Sequence, residues 1–339
     1  MRKIARIVKI DKVEKHTNAD TLDVCTIGGW NVVAKHGLHT QGDLVVYCEI
    51  DSWIPHTLAP FLTKEGKLPK VFEGIEGQVL KTIRLRGVLS QGLILPVRET
   101  SLIADEVYEG NDVSKPLGIL KYEAPVPATL AGKMRCAFPG YVPKTDSERI
   151  QNLTQEFEEW KNAGACFNIT EKLDGTSATF MNYNGDIHVC SRNWSLFEDD
   201  TNVMWKMYHK YKIKEALTGI GFNCAIQGEV VGSSIQNNTY KLNDQRLFVF
   251  NIYNIDEKYY LNHEEITEIC LKFKLETVPY IAKIRLTQYH TIENLLENAD
   301  GQSELYKDTA REGLVFKGTD LTYLNFKAIS NNWLIKNNK

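Results

Sequence analysis

The chain has 339 residues, a length typical of two domains rather than one. Hydrophobic residues make up 43% and charged residues 24%, close to the globular average, so a disordered chain and a long coiled coil are poor descriptions. Lys and Arg number 40 against 43 Asp and Glu, and the net charge of -3 provides no overall basic field that would attract a polyanion to the whole molecule.

The N-terminal part alternates short apolar runs with turn residues, from about residue 4 to residue 97. Turn signals such as Gly28-Gly29 separate β-rich segments at a spacing typical of a small barrel or sandwich. We therefore expect an OB-like β-barrel over residues 1–120. The stretch that follows lacks periodicity and is rich in proline, so a linker is predicted over residues 121–144.

The first long helix is predicted after a Thr-x-x-Glu capping box at Thr145 and Glu148. Apolar residues follow at spacings of three and four, which places them on one helical face. These residues are Ile150, Leu153, Phe157 and Trp160. The predicted helix ends near Gly164.

Further along, residues 167–193 read as a strand pair with a hairpin turn at Asn184-Gly185. A helix is predicted over about 201–217, and another opens at Asn262. Strands are predicted over about 223–231, 246–255, 312–318 and 323–329. The pattern is α+β and assigns residues 145–339 to the second domain.

Five polar islands interrupt the apolar strands of this second domain. They are the segments 171–177, 191–193, 227–232, 312–317 and 326–328, of which the first contains the K-x-D-G sequence of Lys172 to Gly175. A lone K-x-D-G is a weak signal, but charges that punctuate buried strands are costly unless they are paired or functional. The sequence contains no P-loop, and Gly219-Ile220-Gly221 is not continued to a third glycine, so P-loop and Rossmann chemistry are excluded.

In their order, the five islands resemble the motifs of the covalent-lysine nucleotidyltransferases, the superfamily of ATP-dependent ligases and RNA capping enzymes. Within it the chain is most similar to RNA ligases of the Naegleria type, in which an OB domain precedes the catalytic domain. The segments NADTLDV, GDLVVYCEIDSWIP and RGVLSQGLILPV fit that OB domain, and PKTDSERIQN resembles the stretch before the catalytic lysine. The resemblance implies an N-terminal OB-like β-barrel followed by an α+β nucleotidyltransferase domain, of the ATP-grasp-like ligase kind.

The resemblance also implies an ATP-dependent RNA ligase that joins 3′-OH and 5′-phosphate ends through lysyl-AMP, in RNA repair or editing. The implied partners are ATP, Mg²⁺ or Mn²⁺, and RNA as a nicked duplex or as free ends. We expect a monomer that does not bind membranes. Whether nicks, gaps or single-strand ends are preferred, which strand must be RNA and which metal is used all stay open.

Residue by residue, the resemblance makes Lys172 the nucleophile, and burial and a nearby divalent cation are expected to lower its pKa below the usual value of about 10.4. Asp174, Glu229 and Glu312 are the expected metal and ribose ligands, acting in part through metal-bound water. Lys327 is expected to neutralise the α-phosphate.

Other residues are implied to bind the nucleotide or the RNA end. The nucleotide-binding set is Glu171, Lys172, Arg149, Gln151, Arg192, Asn193, Glu229, Phe250, Lys317 and Lys327. Phe250 is expected to stack on adenine, with an ordinary core role as the alternative. Some relatives carry a second lysine two residues before Lys327, where this chain has Asn325, so Lys317 is expected to supply that charge.

Two other functions compete with RNA ligation. A DNA ligase or a GTP-using capping-type enzyme is disfavoured because the chain ends 12 residues after Lys327, too soon for their C-terminal OB domain. A non-catalytic RNA-binding module is disfavoured because every charged motif position is retained.

A basic segment in the N-terminal domain could contact RNA or could be an ordinary solvated surface. This basic segment, residues 64–86, carries Lys64, Lys67, Lys70, Lys81, Arg84 and Arg86 against Glu65, Glu73 and Glu76.

The seven cysteines are far apart and never form a C-x-x-C pair, which favours reduced thiols in an intracellular protein over a disulfide framework or a zinc ribbon. No apolar stretch approaches a signal peptide or a membrane span. The sequence does not distinguish the cytoplasm from the nucleus.

Overall fold

The structure is a computed structural model that describes residues 3–123 and 132–337. Contacts divide the chain into two compact units, one of Met1–Pro125 with Leu334–Lys339 and the other of Val126–Trp333. The predicted domain limits at residues 120 and 145 stay a prediction. The predicted linker lies partly outside the described residues, and its second half contains a strand of the second unit.

The N-terminal unit is built of short strands. They are β1 (Ala5–Lys9), β2 (Lys12–Lys15), β3 (Leu22–Ile27), β4 (Trp30–Lys35), β5 (Leu44–Cys48), β6 (Ser52–Pro55), β7 (Lys70–Phe72), β8 (Ile75–Val79), β9 (Ile83–Leu85), β10 (Val88–Ser90), β11 (Leu93–Pro96) and β12 (Leu120–Lys121). Their sheet orders are β2-β3-β4, β1-β5-β11, β12-β6-β8-β7 and the hairpin β9-β10. Every pairing among them is antiparallel, as the predicted turns between short apolar runs require.

One strand of this unit shows the two-residue alternation expected of a half-buried strand. Along β3, buried and half-buried residues alternate strictly. Trp30 and Tyr47 are fully buried in the core that this alternation forms. Gly92 lies against that core with φ +116°, and a Cβ there would come within 2.5 Å of the Tyr47 ring, so only glycine fits.

The second unit combines two sheets with helices. Its strands are β13 (Met134–Ala137), β14 (Glu148–Arg149), β15 (Cys166–Lys172), β16 (Thr176–Tyr183), β17 (Asp186–Cys190), β18 (Trp194–Leu196), β19 (Cys224–Gly232), β20 (Gln245–Asn254), β21 (Tyr259–Tyr260), β22 (Glu276–Thr277), β23 (Tyr280–Arg285), β24 (Gly313–Gly318) and β25 (Asn325–Ile329). Its helices are α1 (Thr154–Ala163), α2 (Val203–Lys210), α3 (Ile213–Gly219), α4 (His263–Phe273) and α5 (Ile292–Ala299), and α6 (Asn331–Lys336) follows β25.

The two sheets of this unit are covered by different helices. One sheet has the order β13-β18-β17-β16-β19-β20-β21, with β22 beside β20, and the other has the order β14-β25-β24-β15-β23. Helices α2, α3 and α4 bury one face of the larger sheet, while α1 and α5 bury one face of the smaller sheet. The opposite faces carry the polar islands, which places them in a cleft between the sheets.

The start of the first long helix differs from the prediction. Residues 148–149 form β14, which pairs in parallel with β25, and α1 begins only at Thr154. The Glu148 carboxylate accepts hydrogen bonds from the Arg149 and Asn152 nitrogens at 2.8 and 3.0 Å instead of capping a helix. Pairing with a central strand therefore outweighs the local capping signal. The predicted end is correct, since Gly164 stops the helix with φ +63°.

Two further predictions differ from the structure because they rested on local pattern alone. The helix expected over 201–217 is two helices, α2 and α3, separated by Lys212 with φ +49°. The segment before the Asn184-Gly185 turn is also two strands, and they belong to different sheets: β15 to the smaller and β16 to the larger. The chain crosses from one sheet to the other between them, at residues 173–175.

Among the described residues, no helix has both the length and the apolar character needed to cross a membrane. All seven cysteines are free thiols.

The aromatic core beneath the smaller sheet offers a test of this packing. Phe316 is buried and stacks on Phe326 with ring centroids 4.5 Å apart. We expect Phe316→Ala to lower the free energy of unfolding by about 3–5 kcal/mol, because it removes a buried ring and leaves a cavity. Urea denaturation followed by tryptophan fluorescence measures this change. The control is Tyr289→Ala at an exposed site, and equal stability of the two variants would contradict the packing described.

Candidate active site

Lys172 ends strand β15 and faces the cleft. The alternating residues Phe167 and Ile169 belong to the core on the other face of the strand. Lys172 lies opposite Gly313 of β24, so Glu312 is placed next to it. Its ammonium donates a hydrogen bond to Glu312 Oε2 at 2.8 Å, and the two side chains are only 27% and 12% exposed.

Burial and three carboxylates act on Lys172 in opposite directions. Burial alone lowers its pKa, but the carboxylates of Glu312, Glu229 and Asp174 outweigh burial and raise the pKa. The lowered pKa expected from sequence depends on a divalent cation as well as on burial, and it stays a prediction. An ammonium surrounded by three carboxylates needs another positive charge nearby before it becomes a nucleophile at neutral pH.

Glu229 lies on β19 beside the start of β16, opposite Ser177. Burial raises its pKa to about 8, the neighbouring Glu312 and Asp174 charges add to the rise, and Lys172 opposes it. Gly175 lies close to this strand, and only glycine fits there, because a Cβ would lie 2.3 Å from the carbonyl oxygen of Val230.

The acidic groups do not form a closed metal cage. In residues 3–123 and 132–337, no three His, Cys, Asp or Glu side chains are placed to ligate one ion together. Asp174, Glu229 and Glu312 all act on the Lys172 ammonium, however, and thus concentrate negative charge at one point of the cleft. This donor set fits a hard cation that keeps part of its water shell.

Lys327 and Arg149 are aligned with Lys172 by strand register. Lys327 on β25 lies opposite Val315, which in turn lies opposite Thr170, two residues before Lys172. Arg149 on β14 pairs beside Lys327 and is buried. Gln151 follows in a buried turn. The smaller sheet therefore presents three cationic residues along its cleft face.

Phe250 occupies a β-bulge in β20. Gln227 pairs with Asn251 and Gly228 pairs with Val249, which leaves Phe250 as the extra residue. A bulge re-aims the side chains around it and interrupts the alternation expected from sequence. Phe250 contacts the cluster around Leu173 and lines a pocket together with Thr170 and Lys317.

Lys317 joins the two sheets at this pocket. Its ammonium donates hydrogen bonds to the Phe250 carbonyl and to Asn251 Oδ1, and lies 5.6 Å from the centre of the Phe250 ring. Burial lowers its pKa to about 7. Asn251 Nδ2 donates in turn to Gln227 Oε1 at 3.1 Å, and Gln227 Nε2 donates to the Pro143 carbonyl at 3.0 Å.

Arg192 and Asn193 lie between β17 and β18, beside the segment that leads into β14. Arg192 binds both oxygens of the Asp146 carboxylate, at 2.9 and 3.0 Å, and is 53% exposed. Asn193 Oδ1 accepts from the Lys144 ammonium at 2.8 Å. Arg192 and Asn193 therefore bind residues of the segment before β14, and neither is hydrogen-bonded to the carboxylates around Lys172.

Glu171 is placed away from Lys172 by strand alternation. Its side chain is 1% exposed, and Oε2 accepts from the backbone N–H of Glu304 at 2.8 Å. Burial raises its pKa. The side chain therefore leaves β15 on the face opposite the cleft, and a role for Glu171 in nucleotide binding stays a prediction.

Sequence reasoning did not identify Asn251, Tyr240 and Gln236 as site residues. Asn251 offered a signal, since it is a polar residue next to Phe250 within an apolar strand. Tyr240 and Gln236 offered none, because they lie in the connection between β19 and β20, outside every motif.

Comparisons with known proteins show which families and solved structures this chain resembles. A sequence model described as RNA ligase matches residues 166–334, and an OB-fold domain model matches residues 4–97. No curated protein matches the sequence at a significant level. Among solved structures, Naegleria gruberi RNA ligase with PPi is 40% identical over 98% of both chains, with a TM-score of 0.90.

Two mutant structures of that enzyme, one with ATP and Mn and one with AMP and Mn, match with the same identity, coverage and TM-score. The predicted fold class, an N-terminal OB-fold domain followed by an α+β ligase domain, is confirmed by these matches. On this likeness in sequence and fold across nearly its whole length, the chain belongs to the RNA ligase family.

Proposed function

We propose that this protein is an ATP-dependent RNA ligase in which Lys172 carries AMP as a covalent intermediate. The observation that carries the proposal is the Lys172 ammonium, held 2.8 Å from Glu312 in a cleft beside a pocket lined by Phe250 and Lys317. A partly buried lysine among carboxylates is poorly explained as a packing residue, because burying charge is costly.

The reaction consists of three displacements at phosphorus. The Lys172 amine, having lost a proton, attacks the α-phosphate of ATP, so that a P–N bond forms and pyrophosphate leaves. An RNA 5′-phosphate oxygen then attacks the lysyl-AMP phosphorus, which forms a pyrophosphate linkage and returns the lysine. Finally a 3′-OH attacks the 5′-phosphate, the new phosphodiester forms, and AMP leaves.

The cationic residues of the smaller sheet stabilise the charge that develops in these steps. Lys327 and Arg149 lie along the cleft face, where electrostatic stabilisation of a pentavalent phosphate acts most strongly. Gln151 lies beside them. Phe250 stacks on the adenine. Lys317 fixes Phe250 by donating a hydrogen bond to its carbonyl and by lying over its ring.

Asp174, Glu229 and Glu312 are proposed to hold Mg²⁺ or Mn²⁺ largely through water. The ion would supply positive charge that offsets these carboxylates, which favours the neutral amine of Lys172 and the leaving of pyrophosphate. Arg192 and Asn193 are proposed to meet the ribose or the RNA 5′-phosphate, with Arg192 exchanging its exposed pair with Asp146 for the phosphate.

RNA is the substrate that membership of the family implies, and we propose that the basic segment contacts it. In this segment Lys64, Lys67 and Lys70 are exposed, next to the exposed apolar residues Leu68 and Val71. Cations interleaved with apolar side chains suit a nucleic-acid strand, which offers phosphates and base faces together.

The finer assignments are also proposals. We propose domain limits of 1–120, 121–144 and 145–339, and an intracellular monomer. The free state of all seven cysteines supports a reducing compartment. The presence of all the proposed catalytic residues in one chain supports a monomer.

Covalent labelling tests the central assignment. With α-labelled ATP and Mn²⁺, we expect the wild-type protein to acquire label that Lys172→Ala does not, because the P–N bond forms at this amine. The matched control, Lys206→Ala at an exposed helical site, should label like the wild type. Label on Lys172→Ala would refute the assignment, and sealing of nicked RNA and DNA duplexes distinguishes an RNA ligase from a DNA ligase.

The carboxylates near Lys172 make its labelling depend on pH. Because they raise the pKa of Lys172, the neutral amine is scarce at pH 7, and below this pKa its fraction grows about tenfold per pH unit. We expect the single-turnover labelling rate to rise with pH, and the rise to move to lower pH as the Mn²⁺ concentration increases. A rate that is flat with pH, or a profile indifferent to the metal, would contradict this account.

The role of the basic segment is tested by salt. We expect replacement of Lys64, Lys67 and Lys70 by alanine to weaken binding to a nicked RNA duplex and to reduce the slope of log K against log salt by about 2–3, roughly one for each lost phosphate contact. Labelling with ATP should be unchanged. The control replaces Lys206, Lys214 and Lys272, three exposed helical lysines, and an equal loss of RNA binding there would argue for a general charge effect.

A further inference from the structure

The crossing between the two sheets creates a local problem for the backbone. Lys172 ends β15 in the smaller sheet and Thr176 opens β16 in the larger one, so residues 173–175 belong to neither ladder. Leu173 and Asp174 are buried and Gly175 is half-buried, so their N–H and C=O groups need other partners, because an unpaired buried backbone group is costly.

The connection between β19 and β20, residues 233–244, supplies two of those partners. The backbone N–H of Asp174 donates to the Tyr240 hydroxyl at 2.7 Å, and the carbonyl of Gly175 accepts from Gln236 Nε2 at 3.0 Å. The polar backbone of this turn is thus held by the connection that follows β19.

Tyr240 is held in place by burial and packing. It is 2% exposed and packs with Leu173, Val231 and Phe248 in one cluster. Burial raises the pKa of its hydroxyl, and the negative charges of Glu171, Glu312 and Asp174 add to the rise. The hydroxyl that accepts the Asp174 N–H therefore feels two of the carboxylate charges that also act on Lys172.

The connection itself is held in an unusual backbone conformation. Four of its non-glycine residues, Ser234, Gln236, Asn238 and Lys241, have φ between +44° and +63°. Asn238 Nδ2 donates to the Leu242 carbonyl at 3.0 Å, and Asn238 Oδ1 accepts from the Leu242 N–H at 3.1 Å. Gln245 Nε2 donates to the Ser233 carbonyl at 3.0 Å. Such strain persists only where surrounding contacts determine it, and it clusters at functional sites.

From these contacts we infer that Tyr240 and Gln236 are positioning residues, which hold the Asp174-Gly175 turn so that Asp174 is aimed at the reacting end of Lys172. The inference rests on the proposed function and extends it to a segment that carries none of the motifs. The two residues hydrogen-bond the backbone of the turn, so they act through Asp174.

The test measures the turn and the chemistry separately in Tyr240→Phe. We expect hydrogen exchange to become faster in the peptide that contains residues 173–175, because the acceptor of the Asp174 N–H is lost, while exchange elsewhere in the unit is unchanged. We expect the single-turnover labelling rate at saturating ATP to fall on the order of tenfold or more, with KM for ATP within about twofold, since misplacement of a reacting group lowers the rate of the chemical step.

The control is Tyr211→Phe. The Tyr211 hydroxyl also accepts from a backbone N–H, that of Leu247 at 3.3 Å, in a different part of the same unit. It should label at the wild-type rate. An equal loss in this variant would show a general effect of removing a buried hydroxyl and would overturn the inference.

Gln236→Ala keeps the inference testable should Tyr240→Phe fail to fold, because Gln236 is exposed. We expect it to slow labelling several-fold at saturating ATP with unchanged KM. Wild-type rates in a folded Tyr240→Phe, or in Gln236→Ala where the tyrosine variant does not fold, would overturn the inference. Absence of label on the wild type would instead refute the proposed function.

Discussion

The meeting of one ammonium with several carboxylates, at the point where the chain passes between two sheets, is the constraint on which the catalytic unit depends. Lys172 is the last residue of β15 in one sheet, and Glu229 in the other sheet lies opposite Ser177, near the start of β16. Attraction between these groups therefore acts across the cleft as well as within the site. The same attraction opposes catalysis, because it keeps the nucleophile protonated, and a ligase built this way requires a further cation to release the amine.

The general plan of the molecule could be predicted from sequence, and the reason is physical. Turn residues between short apolar runs indicated a β domain, and the order of the charged islands indicated the catalytic unit through its resemblance to the covalent-lysine nucleotidyltransferases. Strand alternation then separates Lys172 from Glu171, and antiparallel register brings Gly313 and Glu312 to Lys172 although about 140 residues lie between them. None of this pairing is visible in a local window.

The predictions that failed were those in which tertiary contacts outweigh a local signal. Thr145 and Glu148 satisfy a capping pattern, but the available edge of β25 recruits Glu148 and Arg149 as a strand. The direction in which the side chains alone shift the pKa of Lys172 was not visible in the sequence, because it depends on how many carboxylates act on the amine. Tyr240 shows a third limit: a residue that supports a site through a contact with the backbone has no motif of its own.

The bulge at Phe250 has a consequence for how this strand tolerates change. Because β20 carries one residue more than its partner, the aromatic ring and the adjacent amide both serve the cleft although they are neighbours in sequence. Losing one residue there would restore regular alternation and turn one of the two side chains away from the cleft. Chimaeras that exchange this strand with one from another ligase must therefore match residue count before residue identity.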